Sequence, residues 1–345
     1  LSASSIRQQF STAINVAIGR FGIAFLREAH RHLAVDGEAP ALGLVEPGYL
    51  FLATPAGVAT LEANHAVQRE HGADVTLLSP VALRGRFPWL ATEGIAMGSL
   101  GLSGEGWFDG YPLLQGFRRK ARALGARYVA AESAGLSADG ARVTHVLLRD
   151  GAALACDAAV IAAGAWSAPL ARSLGIDLPV RARRRSVFVF ECPQALPHCP
   201  LVIDPSGLWF RPEGTRQFIC GAAPDAADDP DDAPLEPEHA RFESELWPLL
   251  AARVPAFEAL RQTRAWAGYY EMNTFDHNGI VGPHPQWPNL VCAAGFSGHG
   301  MQQSPAVGRG AAELLVHGGY RTLDLAPLAW TRIATGQPLI ERSVV

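Results

Sequence analysis

Between Asn289 and Leu315 the chain reads NLVCAAGFSGHGMQQSPAVGRGAAELL. The continuous apolar run LVCAA has the pattern of a strand buried on both faces. It passes through Gly295, Gly298 and Gly300 into small residues with helical spacing. Strand, glycine turn and helix in direct succession commit this part of the chain to an α/β arrangement. The first N–H groups of such a helix lack intrahelical partners. Together with the positive end of the helix dipole they point at whatever lies before them. Glycines let that neighbour approach the backbone closely. Three glycines alone serve a cofactor turn and tight helix–strand packing equally well. GLSGEG at Gly101–Gly106 has the same spacing, and its context reads as a plain loop.

Period and punctuation place the remaining elements. INVAIGRFGIAFLREAHRHL, starting at Ile14, repeats its apolar residues as a helix does, and GLVEPGYLFLAT reads as a hairpin around Pro47-Gly48. PAGVATLEANHAVQREHG follows as an amphipathic helix and ADVTLLSP as a strand. YPLLQGFRRKARALG, Tyr111 to Gly125, is a helix that ends on its glycine. Strands around Asp139-Gly140 come next, and ACDAAVIAAGAWSAPLARSLG switches from strand to helix at Gly164. Arg185 to Gly221 is β-rich, DAADDPDDAPLEPEH is an acidic, proline-rich surface loop, and ARFESELWPLLAARV is a helix. No internal repeat is visible. The alternating blocks suggest two interleaved domains, one α/β and one largely antiparallel sheet.

A length of 345 residues is enough for two cores, and 48% hydrophobic with 18% charged residues fits a globular chain. The net charge of −4 gives no nucleic-acid footprint. RARRR at Arg181–Arg185 is the one densely basic run, expected to be a solvated loop face rather than a phosphate or partner site. The five cysteines form no CxxC pair and read as reduced thiols in a reducing, cytoplasmic compartment. No apolar run reaches the roughly 18 residues that span a bilayer. The chain opens on LSASSIRQQFS, which lacks the charged start and apolar centre of a signal peptide and reads as the interior of a longer protein.

GFSGHGMQQSPAVGR, with NGIVGPHPQWPNLVCAA before it, resembles the C-terminal flavin-binding segment of the D-amino-acid-oxidase-like superfamily, which includes sarcosine and glycine oxidases. DAAVIAAGAWS is similar to that family's strand-and-glycine motif along the flavin, GEGWFDGYPLLQGFRRKARALGARY to the segment between its domains, and WAGYYEMNTFDHNG to its substrate-side strand and turn. The motifs occur in order along nearly the whole chain. The resemblance implies a Rossmann-like FAD-binding domain from residues 1–35, 105–184 and 279–345, interleaved with a mixed or antiparallel substrate domain from 36–104 and 185–278. It implies hydride transfer from a small amino or hydroxy acid to a non-covalent FAD. The electron acceptor stays open, as does a respiratory complex as partner, since one branch of the family is associated with assembly of such a complex. Family members begin with a strand, GxGxxG, a helix and an acidic residue that holds the adenosine ribose. SSIRQQFS matches the segment just after that unit, so roughly 35–40 residues of a family member are expected to be missing and flavin binding by this chain to suffer.

Residue by residue, the resemblance places Ala134, Ala163 and Gly164 along the flavin. It sets Gly295, Phe296, Ser297, Gly298, His299, Gly300, Met301 and Gln302 at its pyrimidine edge, where backbone N–H donors stabilise the reduced ring. For His299, packing or a local hydrogen bond stands beside a catalytic proton role. Arg7 matches an arginine that binds substrate carboxylate, for which a guanidinium fork is suited, and a plain surface arginine is the equal alternative. Tyr269 and Tyr270 fall where relatives place an aromatic over the substrate, and Tyr270 is taken with Arg7 and Gln302 as catalytic. Sarcosine oxidases carry a lysine at the position of Gln302 that promotes reaction with oxygen. A neutral amide supplies no such charge, which favours a dehydrogenase over an oxidase. Gly268 stands near the cysteine through which sarcosine oxidases tether flavin.

Overall fold

The computed structural model describes residues 2–342. In chain order the elements used below are α1 (Ala13–Arg27), β1 (Tyr49–Ala53), α2 (Val58–Glu70), β2 (Val75–Leu78), β3 (Met97–Gly101), α3 (Gly110–Ala123), β4 (Ser133–Asp139), β5 (Arg142–Leu148), β6 (Ala153–Ala155), β7 (Ala159–Ile161), β8 (Val180–Glu191), β9 (Leu201–Ile203), β10 (Trp209–Pro212), β11 (Gln217–Gly221), β12 (Arg261–Asn273), β13 (Ile280–His284), β14 (Trp287–Ala294) and α4 (Gly300–His317).

An eight-stranded sheet runs in the order β12-β8-β11-β10-β9-β1-β3-β2, antiparallel except where β9 lies parallel to β1. One face carries the largest core cluster, in which Phe188, Phe190, Phe210, Phe218 and Phe257 pack together. A second sheet, β13-β14-β7, pairs β14 with β7 in parallel, the strand direction expected of an α/β domain. A third, β4-β5-β6, includes the hairpin expected around Asp139-Gly140. α1 and α4 pack closely: a Cβ on Gly22 would come within 2.7 Å of the Gln302 carbonyl oxygen. The architecture is the mixed α/β fold read from the sequence. Among the described residues no helix is long and apolar enough to cross a membrane.

Local chemistry explains the boundaries. The Asp109 carboxylate accepts the Tyr111 N–H and starts α3, and Gly125 follows its end at φ +93°. Two expectations are corrected. No hairpin forms at Pro47-Gly48, because Val45 bridges to Trp107 and only Tyr49–Ala53 becomes a strand. The run Arg181–Arg185 is no loop face but the first half of β8, beyond the reach of β11. There the acidic loop supplies an edge partner: Asp232 donates its N–H to the Ala182 carbonyl, and Arg183 bridges to Asp231. Arg185 grips both oxygens of Asp229 at 2.7 and 2.8 Å, and Arg184 meets Glu238 at 2.6 Å. The two charge runs face each other.

Candidate active site

The glycine turn after β14 is sewn to the end of β12. Gly295 N–H donates to the Glu271 carboxylate at 2.9 Å, Ser297 N–H to the Glu271 carbonyl at 3.1 Å, and the Ser297 hydroxyl accepts from Asn273 N–H at 3.0 Å. Gly295 and Gly298 sit at φ +77° and +93°. A side chain at Gly298 would run into the Tyr270 ring, 2.4 Å from the ideal Cβ. That contact is a specific reason for glycine at this position. α4 then starts at Gly300 with His299 as N-cap and no side-chain cap bond, so its first N–H groups face outward without a partner of their own.

These residues border a cavity of about 400 Å³. Gly298, His299 and Gln302 form one side; Tyr270 and Met272 of β12, Arg7, and the sheet residues Tyr49, Phe51 and Trp209 form others. Successive residues of a strand face opposite ways. Thus Tyr270 lines the cavity, while the Tyr269 hydroxyl donates to the Ala233 carbonyl and its ring meets Trp166 edge-on. Although part of Tyr270 stays open to solvent, crowding of protein atoms around its phenol raises the pKa above its ordinary value, against the pull of Arg185 and Arg7.

Arg7 follows a two-residue ladder in which Ser5–Ile6 pairs with Gly106–Trp107. Its guanidinium lies 4.3 Å from the Phe10 ring centroid and 5.1 Å from that of Phe51. One arm donates to the Gln9 carbonyl at 3.1 Å and the other contacts His299 Nε2 at 2.9 Å. A guanidinium can only donate, so Nε2 accepts and the imidazole is neutral, with its proton on Nδ1. Burial, then the Arg7 charge, press His299 down to about 3. Among the described residues Arg7 forms no ion pair with a carboxylate. Burial lowers its own pKa, while more distant acidic groups oppose the shift.

Gln302 is turned toward the same residue. It is buried, and its Oε1 accepts the Arg7 N–H at 2.9 Å. Arg7, His299, Gln302 and Tyr270 thus meet at one cavity, although Arg7 and Gln302 are 295 positions apart. Ser297 and Gly298 line it too, whereas the remaining sequence-selected residues are not part of its lining. Ala134 is exposed on β4, and Ala163 and Gly164 end β7 at a short 3₁₀ turn outside the cavity lining. Gly164, at φ +55°, has open space where a side chain would be. Phe296 is buried in a core cluster, and Met301 packs its side chain toward Gly110.

Two acidic residues were not anticipated. Glu105 is fully buried inside the GLSGEG loop. Its carboxylate accepts Gln8 N–H at 2.6 Å, Gln9 N–H at 3.0 Å and Gln9 Nε2 at 2.8 Å, fixing the bend after Arg7. Burial raises its pKa against those donors. The loop is plain, as expected, but its glycines make room: a Cβ on Gly101 would fall 1.9 Å from a Glu105 oxygen. A lone acid within a glycine triplet was the available signal. Glu341, near the other end of the chain, accepts from Ser11 N–H and Asn15 Nδ2, each at 2.7 Å, at the start of α1 and on the cavity wall.

The family model described as "DAO: FAD dependent oxidoreductase" matches residues 2–314. FAD-dependent oxidoreductase domain-containing protein 1 of Xenopus laevis is 43% identical, over 100% of this chain and 76% of that protein. Glycine oxidase of Geobacillus kaustophilus is 29% identical, over 84% of this chain and 75% of that protein. The crystal structure of L-proline dehydrogenase from P. horikoshii superposes with a TM-score of 0.84 at 23% identity, covering 98% of this chain and 88% of that one. At that identity the likeness speaks for the fold alone.

Proposed function

The chain belongs to the FAD-dependent oxidoreductase (DAO) family and is an FAD-dependent oxidoreductase, and from that premise we propose that it dehydrogenates an amino or hydroxy acid held by its carboxylate on Arg7. One observation carries this reading: a cation on the cavity wall, braced by a neutral imidazole and two aromatic rings, makes no ion pair with a carboxylate among the described residues, and acidic groups reach it only from further off. Withdrawing a charge from water without a partner is unfavourable. A ligand carboxylate supplies both the charge and the paired acceptors that a guanidinium fork fits. That the G. kaustophilus relative is named a glycine oxidase agrees with an amino-acid substrate.

The residues present fit a flavin ring. The uncapped start of α4 offers backbone donors on the cavity side, where Gly298 lets the Tyr270 ring pack against the turn. We assign the pyrimidine edge to the N–H groups of Gly298, Gly300 and Met301, since the His299 N–H is spent on the Phe296 carbonyl at 3.0 Å, and Ala163 and Gly164, the latter with open space where a side chain would be, to another part of the cofactor. Gly268 offers no sulfur for a tether, in keeping with a non-covalent FAD. When bound, FAD accepts a hydride from a C–H beside the substrate's nitrogen or oxygen. Arg7 orients the acid, Gln302 fixes the Arg7 backbone, and Tyr270 covers the cavity. His299 takes no proton at neutral pH, because its lone pair is engaged and its pKa is about 3. An amine substrate therefore has to arrive uncharged, so turnover should rise with pH along the substrate's own ammonium titration.

The neutral Gln302 stands where sarcosine oxidases carry a lysine, and on that basis we assign the electrons to an acceptor other than oxygen. The substrate-domain boundaries proposed at 36–104 and 185–278 are supported by the eight-stranded sheet, whose strands fall within them apart from the first residues of β8. The test is anaerobic titration of the flavin-loaded protein with N-methyl, D-amino and 2-hydroxy acids, followed by flavin absorbance. Bleaching by at least one acid, lost in Arg7→Met, is expected. No bleaching across the panel, with co-purification of respiratory-complex subunits, would move the assignment to a flavoprotein assembly factor with little turnover.

A further inference from the structure

Beside Arg7 one wall of the cavity is apolar. Phe51 of β1, Leu201 and Ile203 of β9, Trp209 of β10 and Leu61 of α2 belong to one packed cluster with Tyr49 and line the same cavity. Trp209 and Ile203 are only partly buried, so this surface still faces open space. The wall is carried by β1, β9, β10 and α2, whereas the glycine turn is bonded to the end of β12. Arg7 joins the two regions, with His299 on one side and the Phe51 ring on the other. A glycine- or sarcosine-sized acid anchored on Arg7 has no group to reach that wall and would leave it wet.

We infer that this cavity selects an amino or hydroxy acid with a bulky apolar side chain, of leucine to phenylalanine size, in preference to glycine or sarcosine. The inference rests on Arg7 being the carboxylate anchor. The carboxylate takes the donors that Arg7 does not spend on Gln9 and His299, and the side chain lies along Phe51, Ile203 and Trp209. Each methylene moved from water onto that surface should tighten binding about three- to fourfold until the wall is covered.

The experiment is calorimetric titration of the flavin-loaded protein with acids that cannot be oxidised at the reacting carbon: acetate, butyrate, hexanoate and 3-phenylpropionate. Affinity should climb along the series. Trp209→Ala should weaken phenylpropionate by tenfold or more and leave acetate unchanged, and Ile203→Ala should do the same to a smaller extent. Ile203→Ala keeps the test intact should loss of the tryptophan disturb folding. Equal affinities along the series, all abolished by Arg7→Met, would overturn the apolar preference and leave the anchor standing. Failure of every acid to bind, or binding indifferent to Arg7→Met, would take down the anchor and this inference with it.

Discussion

Arg7 and Arg332 are both drawn in from solvent, yet their surroundings are opposite. Arg332 spends its whole fork on the protein. It holds Asp276 through two bonds of 2.7 and 3.0 Å, and it donates to the carbonyls of Leu328, Asn278 and Gly279. Burial pushes the Asp276 carboxyl up, but Arg332, with the Leu339 and Asn278 N–H groups, outweighs it and holds the pKa below the ordinary range. Arg7 has a carbonyl, a neutral imidazole and two ring faces, and no carboxylate. A closed donor set stabilises the fold. An open one on a cavity wall has donors left for a ligand, the role proposed for Arg7. The contrast separates the two roles of buried arginine without reference to the residue type.

The largest effect should come from breaking the closed set. Arg332→Ala strands Asp276, and removing one member of a buried pair destabilises by about 3–5 kcal/mol. The thermal midpoint should fall by about 4–7 °C. Arg7→Met should do the reverse to stability, leaving the midpoint unchanged or higher, because an unpaired cation disappears. Its effect belongs to binding: carboxylate affinity should drop about 100-fold, as for loss of a charged, paired contact. Comparable losses of stability in the two variants would erase the distinction.

His299 gives the next effect. Its folded pKa of about 3 lies below the unfolded value near 6.5, so the unfolded chain takes the proton first. Its contribution is therefore fully present above pH 6.5 and is lost as pH falls toward 3, amounting to about 2 kcal/mol by pH 5. His299→Gln keeps an acceptor for Arg7 and cannot titrate. Denaturant midpoints between pH 7.5 and 5 should fall less steeply in that variant than in the parent. Parallel slopes would mean that the imidazole is free to protonate.

How much of this was visible in the sequence depends on the distance over which each feature is encoded. The strand, turn and helix around Gly295–Gly300 and the end of α3 at Gly125 are local patterns, and both appear as read. Arg181–Arg185 was misjudged because the density of charge masked the alternation of a strand, and its counter-charges lie some 45 to 55 residues further on. The fork of Arg7 on His299 joins residues 292 positions apart, and no local period announces it. Family resemblance pointed to both residues but not to their contact. The same resemblance set Ala134, Ala163 and Gly164 along the flavin, and the cavity at the glycine turn is lined without them. Glu105 was hidden by its neighbours, since glycines there suggested flexibility rather than close packing.

Glu105 sharpens the comparison at the smallest scale, because it shapes the open site from behind. Its Oε1 accepts both Gln8 N–H and Gln9 N–H, and its Oε2 accepts the Gln9 side chain, which also donates to the Tyr49 carbonyl. In Glu105→Gln the amide oxygen can keep both backbone donors, but the amide nitrogen then opposes Gln9 Nε2. One hydrogen bond is lost, for about 1 kcal/mol. The pH dependence is the discriminating part. Burial raises the folded pKa of Glu105 above its unfolded value, so its contribution is fully present below the unfolded pKa, near 4.3, and is lost as pH rises through the folded one. The variant has no such loss. Its deficit relative to the parent should be greatest at pH 4 and shrink toward pH 7.5, measured as the difference in urea midpoints at each pH so that shared titrations cancel. A deficit that grows with pH would mean that the three donors overcome burial. Glu105 would then be a held anion that adds to the field around Arg7, and the cation would be less open than its immediate contacts suggest.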